Sequence, residues 1–511
     1  MTKEKSTYAL FLILLTGLGL RIYCALDPML HPWDERYHAL VAKNMMEHPL
    51  EPRLYAETPL PYNYQNWTSN GIWLHKQPLP LWAMALSMKL FGVHEFALRL
   101  PSVLLSTLSI LLTFGMAMLL FGKTGIALTA AFLQAVNGLA IELAAGRAAT
   151  DHIDTFFLFF VELSAFLLLV QFKKSQHTRR FLLLAGVACG LAILSKWLQA
   201  LIAFPLLAVI DTGRKTKRQW LSGFLLLGLA TLAVALPWQA YAYLHFPREY
   251  AWEMHFNNLH LTQGLEGHGQ AWWYFIDHLR MNVNELIYPI LLWFFGLSFL
   301  ALLHSRPAQD LRIFTALKAR FSGKKREALF PPHRLKGSAR AYFFLLTYML
   351  LPLIFFSFAK TKMQGYLLFT FPAYFITTGL FINYLWRDFS RFRKWRTGLI
   401  ALIFLLALRY GFERVSPFSS HEAQKQAKTW LTQKKFPPKS VLCNTPCPIE
   451  WMFYTHCTAY AYIPSRALLD SLRKEGYHIF VLDDGKLPHE IAEDPKITIL
   501  RQPRNLRICK E

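Results

Sequence analysis

Apolar runs long enough to cross a bilayer recur along most of the chain, separated by short polar stretches, and they stop near residue 411. A hydrocarbon core about 30 Å thick takes roughly 20 mostly apolar helical residues. Eleven runs meet or approach that length, at 8–26, 98–121, 124–143, 152–171, 181–195, 197–211, 219–242, 284–303, 341–358, 364–384 and 396–411. The stretch LPLWAMALSMKLFG at 79–92 is shorter, follows Pro78 and contains Pro80. It predicts a helix lying at or dipping into the interface, and the count rises if it spans. The pattern predicts a polytopic α-helical membrane protein of about 11 to 13 spans over residues 1–411.

From residue 412 the pattern changes. Short apolar runs (Val441 to Leu442, Thr458 to Ile463, His478 to Leu482, Ile497 to Leu500) alternate with helix-like stretches at Glu422 to Leu431 and Ser465 to Lys474. This predicts a small α/β domain over 412–511. The 54% hydrophobic and 17% charged composition excludes a disordered or collagenous chain. With 55 Lys plus Arg against 32 Asp plus Glu the net charge is +23, so nucleic-acid binding has to be weighed. The basic residues fall in every second loop: Lys173, Lys174, Arg179 and Arg180, then Arg214, Lys215, Lys217 and Arg218, then the 304–340 segment, then Arg387 to Arg396. That phase is the one expected of cytoplasmic loops under a cytoplasmic N-terminus. Topology and contact with anionic membrane lipids account for the charge, and no nucleic-acid partner is expected. Residues 8–26 run straight into a polar loop without a small-residue cleavage site, so they read as an anchor rather than a leader.

The opposite phase places 27–97, 144–151, the break at Ser195 and Lys196, 243–283, 359–363 and the tail on the outer face. Four of six cysteines, Cys443, Cys447, Cys457 and Cys509, lie in that tail, where one or two disulfides compete with a Cys443/Cys447/Cys457 metal site of unusual spacing. Asp34, Glu35, His75, Lys76, Arg147, Asp151, Asp154, Lys196, His260, Lys360 and Lys362 all fall on this one face, so residues distant in sequence can converge. Each has a plainer role to set beside a site role. An acid after a span can be merely solvated, and a lysine at a span end ordinarily snorkels. Lys360 and Lys362, however, share one hairpin on the face where positive charge is disfavoured, which points to a site. Asp151 and Asp154 suit either a helix N-terminus or a site, with Arg147 as a candidate partner for Asp151. Trp252, Trp272, Trp273 and Tyr274 read as an interfacial belt.

Several of these residues stand in a recognisable order: Asp34-Glu35 after the first span, Lys76-Gln-Pro-Leu-Pro-Leu-Trp82 and Glu95-Phe-Ala-Leu-Arg-Leu-Pro-Ser102. Gly190-Leu-Ala-Ile-Leu-Ser-Lys196, Pro237-Trp238, Asn258-Leu259-His260 and Ala359-Lys-Thr-Lys362 with Tyr366 follow. From about residue 5 to 410 the chain resembles the GT-C glycosyltransferases, most closely the bacterial lipid A aminoarabinose transferases and the protein O-mannosyltransferases. The resemblance implies a sugar moved, with inversion, from a polyprenyl (undecaprenyl) phosphate to a lipid A-type, glycan or protein acceptor. It implies a bacterial inner-membrane enzyme with its site and C-terminus on the periplasmic side. Asp34 matches the family's catalytic aspartate and Glu35 its second acid, while Lys76, Lys360, Lys362, Tyr366 and Arg147 are candidates for the donor phosphate. Asp151 and Asp154 are candidates for substrate binding. The resemblance also raises a divalent metal (zinc, magnesium or manganese) at His75 and His260, although the acid that the family carries before the lysine is here His75. The arginine often found after the loop histidine is replaced by Gln263 and Gly264. A lipid-linked-sugar flippase or transporter is the competing class, but it predicts internal repeats and charges spread through the membrane depth. A noncatalytic anchor presenting the tail leaves the Asp-Glu and Lys motifs unexplained.

Overall fold

The computed structural model describes residues 3–148, 151–174, 178–211, 216–303, 339–388, 393–419, 422–503, 506 and 508. Most of the basic 304–340 loop, together with Cys509, lies outside the described residues. In chain order the helices are α1 (Lys3–Ala25), α2 (Asp34–Met45), α3 (Pro78–Phe91), α4 (Glu95–Phe121), α5 (Thr124–Val136), α6 (Gly138–Ala144) and α7 (Asp151–Lys173). They continue as α8 (Thr178–Ser195), α9 (Ala203–Asp211), α10 (Lys217–His245), α11 (Pro247–Thr262), α12 (Tyr274–Asn282) and α13 (Ile287–Leu303). Helices Ala339–Phe358, Phe371–Asp388 and Arg393–Val415 complete the apolar part.

Among the described residues, six helices are long and apolar enough to cross a membrane, and two bent pairs raise that number to eight. The runs read from sequence depart locally from these helices. The 124–143 run is α5 and α6 joined at a 50° bend. The bend sits at Asn137, whose Oδ1 accepts the Ala140 N–H at 3.0 Å and whose amide donates to the Asn282 carbonyl at 2.6 Å. The 197–211 run breaks into a 3-10 turn at Leu198–Ile202 and the short α9. The 181–195 run is α8, which carries Arg179 and Arg180 in its first turn, and 396–411 lies in a helix with charge at both ends. Apolar length alone hides such breaks. The 79–92 segment forms α3, with Pro78 and Pro80 in its first turn, where a missing N–H costs nothing.

α7 lies at the centre, packed against α4 and α8. α8 and α10 approach closely at two glycines. A Cβ at Gly186 would stand 2.5 Å from the Leu227 carbonyl oxygen, and one at Gly190 2.8 Å from that of Thr231. Small residues of this kind let helix backbones meet in an apolar medium. Trp238 of α10 is buried and meets Trp82 of α3 edge-on, with ring centroids 5.3 Å apart. The Gly190 and Pro237-Trp238 motifs are therefore packing elements that carry α3 and the end of α8 toward one another.

The C-terminal part holds four parallel strands, β1 (Ser440–Cys443), β2 (Thr458–Ala459), β3 (His478–Asp483) and β4 (Ile497–Arg501), ordered β2-β1-β3-β4. Helices Pro448–Tyr454 and Arg466–Lys474 are its crossovers, as parallel pairing requires. Its core is continuous with that of the first outer loop: Met29, Leu40, Trp73 and Met84 belong to one buried cluster with Trp451, Phe453 and Val481. It is thus no free appendage. Lys43 of α2 donates to the carbonyls of Met452 and Phe453, both at 2.8 Å, and of Thr455 at 3.1 Å, closing the C-terminus of helix Pro448–Tyr454. Burial lowers the pKa of this lysine to about 8. Cys447 is disulfide-bonded, whereas Cys443 and Cys457 are buried free thiols, so the three do not form a metal site.

Replacing Lys43 with Met strips charged donors from three carbonyls at this junction. We expect a loss of about 2 to 3 kcal/mol, read as a lower thermal midpoint in detergent together with faster protease release of the C-terminal unit.

Candidate active site

The site begins where α1 ends. Trp33 has φ 71° and ψ −131°, a left-handed conformation that costs a non-glycine residue about 1 to 3 kcal/mol. This turn starts α2 with Asp34 and Glu35 side by side and sends their side chains in different directions. Glu35 is fully buried. Its carboxylate accepts from Arg99 Nε at 2.6 Å and Nη2 at 2.9 Å, from the His31 N–H at 2.6 Å, and lies 3.3 Å from His152 Nε2. Burial opposes its ionisation, but Arg99 and His31 hold its carboxyl well below the usual range. Arg99 also donates to the carbonyls of Ala25, Asp27 and Met29 at 3.1, 2.6 and 2.8 Å. Gly146, at φ 77°, turns against this cluster, and a Cβ there would collide with Glu35 Oε1 and stand 2.6 Å from His152 Nε2. Glu35 is therefore held as an anchor beneath Asp34, not free for chemistry.

Asp34 is nine-tenths buried, and its Oδ2 is 3.4 Å from Lys76 Nζ. Burial works against the Lys76 ammonium, yet Asp34 holds its pKa above the ordinary lysine value. One turn along α2, His38 Nδ1 lies 2.9 Å from Asp151 Oδ1, both fully buried. Burial lowers the His38 pKa to about 4, so its imidazole is neutral at physiological pH. Asp154, one turn beyond Asp151, is paired with Lys196 at the end of α8. Lys196 Nζ also lies over the Tyr366 ring, 4.4 Å from its centroid. Burial, with Lys76 adding to it, leaves the Lys196 pKa below its usual value even against Asp154.

Lys76, Lys196, His75, His260 and Tyr366 line one cavity of about 630 Å³. The remaining walls are largely apolar, among them Leu201, Ile202, Leu351, Phe355 and Phe369. Two lysines in a largely apolar cavity suit an amphiphile with an anionic head.

Several sequence expectations are corrected here. Lys360 and Lys362 do not line the cavity, whereas Ala359 and Thr361 do. Thr361 pairs in extended conformation with Gly269, and side chains along such a segment alternate between faces. Lys360 is exposed, and Lys362 donates to the carbonyls of Gln270, at 3.1 Å, and Ala359. Arg147 pairs with Glu142 at 2.9 Å rather than with Asp151, in a separate cluster that includes Arg414. His75 stacks on Trp67, with centroids 4.5 Å apart, and its Nδ1 is 3.3 Å from Glu253, while His260 Nδ1 bonds to the Phe256 carbonyl at 3.0 Å. Among the described residues no three His, Cys, Asp or Glu side chains converge as metal ligands. Arg99, Lys196 and His38 were visible in the sequence as motif members or polar neighbours, but their partners were not.

With this geometry in view, comparison with known proteins becomes informative. The dolichyl-phosphate-mannose-protein mannosyltransferase family profile matches residues 75–239. The undecaprenyl phosphate-alpha-4-amino-4-deoxy-L-arabinose arabinosyl transferase of Pseudomonas aeruginosa strain UCBPP-PA14 is 31% identical over 208 residues, 39% of this chain and 36% of the relative. Arabinosyl transferase 1 of Pseudomonas fluorescens strain Pf0-1 is 25% identical over 389 residues, 72% of this chain and 61% of that one. The chain thus spans between about a third and three fifths of these relatives' length. The crystal structure of ArnT from Cupriavidus metallidurans bound to undecaprenyl phosphate superposes with a TM-score of 0.62 at 15% identity, covering 91% of this chain and 87% of that one. The fold is that of the GT-C glycosyltransferases. In GT-C terms, the profile match begins at His75, runs through the Lys76 and Arg99 motifs, the α7 carboxylates and Lys196, and ends just after Trp238. It therefore covers the lysine side of the cavity and leaves out Asp34.

Two outcomes separate the neighbouring acids. Glu35→Gln leaves Arg99 buried without a counter-charge and should cost about 3 to 5 kcal/mol, seen as a lower thermal midpoint. Asp34→Asn should leave that midpoint near the wild-type value. The second expectation concerns pH. Because the folded pKa of His38 lies at about 4, below its ordinary 6.5, the unfolded chain binds the extra proton more tightly. Stability should fall as pH drops from 6.5 toward 4, and a melting series with His38→Gln should lack that part of the decline.

Proposed function

We propose that this protein is an integral membrane glycosyltransferase that takes a sugar from a polyprenyl phosphate and transfers it, with inversion, to an acceptor outside the cytoplasm. The observation that carries the reading is Asp34, 3.4 Å from Lys76, a lysine that lines a largely apolar cavity together with Lys196. The cavity takes the lipid phosphate, with prenyl units along Leu201, Ile202 and Phe355 and the phosphate toward Lys76 and Lys196.

Breaking the bond from the anomeric carbon to the phosphate oxygen leaves negative charge on the lipid phosphate. Preorganised cations lower that barrier because they need no reorganisation as the charge develops. Lys76 and Lys196 are those cations, and Tyr366 is positioned to orient the head group. The acceptor hydroxyl attacks from the opposite face of the sugar, and Asp34 Oδ accepts its proton. Glu35 and His38 position α2, and Asp154 holds Lys196 in place. The basic loops give the orientation: N-terminus inside, with the site and C-terminal unit on the periplasmic side of a bacterial inner membrane. The acceptor is a lipid A-type molecule, another glycan or a protein hydroxyl. The undecaprenyl phosphate named for the relatives supports the lipid-linked donor.

A flippase would share the cavity but has no use for a buried carboxylate fixed beside a phosphate-binding lysine. Lipid and glycan mass spectrometry of cells with and without the protein separates the two. We expect a sugar-sized mass to be lost without the protein, restored by the wild type and not by Asp34→Asn, which should lower transfer by at least about a hundredfold with normal membrane insertion. Accumulation of sugar-loaded polyprenyl phosphate with no lost product would support the flippase.

A further inference from the structure

A second cleft, of about 490 Å³, opens between the first outer loop and the C-terminal unit. Five tyrosines line it: Tyr37, Tyr55 and Tyr62 on the loop side, Tyr460 and Tyr462 on the other. Tyr55 and Tyr460 stack across the junction, with ring centroids 5.3 Å apart and planes 14° from parallel. Tyr62 rests on Gly71, where a Cβ would come within 2.6 Å of the ring, so its pose depends on that glycine. Between the rings, Asn63, Asn66, Thr58 and Thr68 supply amide and hydroxyl groups.

The charge of this cleft is as informative as its rings. Arg36 is its charged lining residue, and the Arg36 guanidinium is paired with Glu450 at 3.2 Å. A phosphate or carboxylate ligand calls for free cations, and this lining has its single cation neutralised. A lipid tail calls for extended aliphatic walls, and here the aliphatic lining is confined to Leu60, Ile449, Ala461 and three prolines. An uncharged ring with apolar C–H faces and hydroxyls at its edge matches both features, stacking on tyrosine and bonding to amides.

The cleft also has a definite place relative to the first cavity. Tyr37 follows Asp34 by three residues, hence on the same side of α2. Its ring meets Trp67 edge-on at 4.8 Å, and Trp67 stacks at 4.5 Å on His75, which lines the first cavity. One aromatic layer beside α2 therefore separates the two cavities. We propose that the second cleft binds an uncharged saccharide, the sugar end of the acceptor. The word acceptor rests on the transferase reading above, whereas saccharide binding does not.

The test uses the full chain in cell membranes, with a benzophenone amino acid in place of Tyr462, which is 48% exposed. The same group in place of Tyr243, 59% exposed on α10, is the control. After irradiation, adducts are digested and read by mass spectrometry for sugar fragment ions. We expect saccharide adducts at position 462 above the control, persisting with Asp34→Asn and reduced about fivefold by Tyr62→Ala, a change at a partly exposed ring. Adducts carrying only acyl chains or peptide, a signal equal to the control, or no response to Tyr62→Ala would overturn the assignment. Retained transfer in Asp34→Asn alongside saccharide adducts would sink the transferase reading and leave the cleft standing. Lost transfer without saccharide adducts would sink the cleft alone.

Discussion

The arrangement of the site depends on one buried ion pair, Glu35 with Arg99. Removing two charges from water is expensive, and a pair in isolation often fails to recover the cost. Here the recovery comes from completeness. Arg99 meets two carboxylate oxygens, three backbone carbonyls and the His31 ring, while Glu35 accepts from the His31 backbone and the Arg99 fork. Those partners belong to the end of α1, the turn before α2, and α4, with the Gly146 turn packed against them. The pair ties the post-span loop to α4, and Asp34 takes its position as the residue immediately before Glu35.

A second set of contacts supports α2 from outside the membrane part. Glu95, at the start of α4, accepts from the Tyr454 hydroxyl at 2.6 Å and pairs with Lys428, while the Tyr454 hydroxyl oxygen accepts the Leu30 N–H at 3.0 Å. With Lys43 and Arg36 also reaching the C-terminal unit, that unit braces the helix that carries Asp34. This gives the Glu95 to Ser102 motif a physical meaning. Glu95 faces the C-terminal unit, Arg99 faces Glu35, and Ser102 Oγ lies 2.7 Å from His152, so the motif holds the site without entering it.

Charge phase and apolar length, which follow from the energetics of the bilayer, led the sequence reading to group distant residues together. That was enough to bring Asp34, Lys76, Asp151, Asp154 and Lys196 into one neighbourhood. Side-chain direction within a hairpin was not legible, and Lys360 and Lys362 stand outside the lining of the cavity: an extended backbone sends alternate residues to opposite sides, and register is a tertiary property. Arg147 was misjudged for a related reason, since Glu142, five residues back, satisfies it at 2.9 Å across a turn that forms only when Gly146 adopts positive φ. The α/β pattern of the tail was legible too, but its shared core with the first loop depends on contacts separated by some four hundred residues, as in the Leu30–Tyr454 bond.

The division of the outer region into two cavities follows from α2 itself. This helix turns His38 against α7 and Tyr37 toward the Trp67 layer, so neighbouring side chains face different surroundings. On one side the walls are apolar and cationic, and on the other aromatic and neutral. A transfer between a charged lipid and an uncharged ring asks for that separation, because a single cavity suited to both would leave either the phosphate without cations or the sugar hydroxyls among unpaired charges. On the transferase reading proposed above, each partner binds in its own medium, on either side of the Tyr37–Trp67–His75 layer.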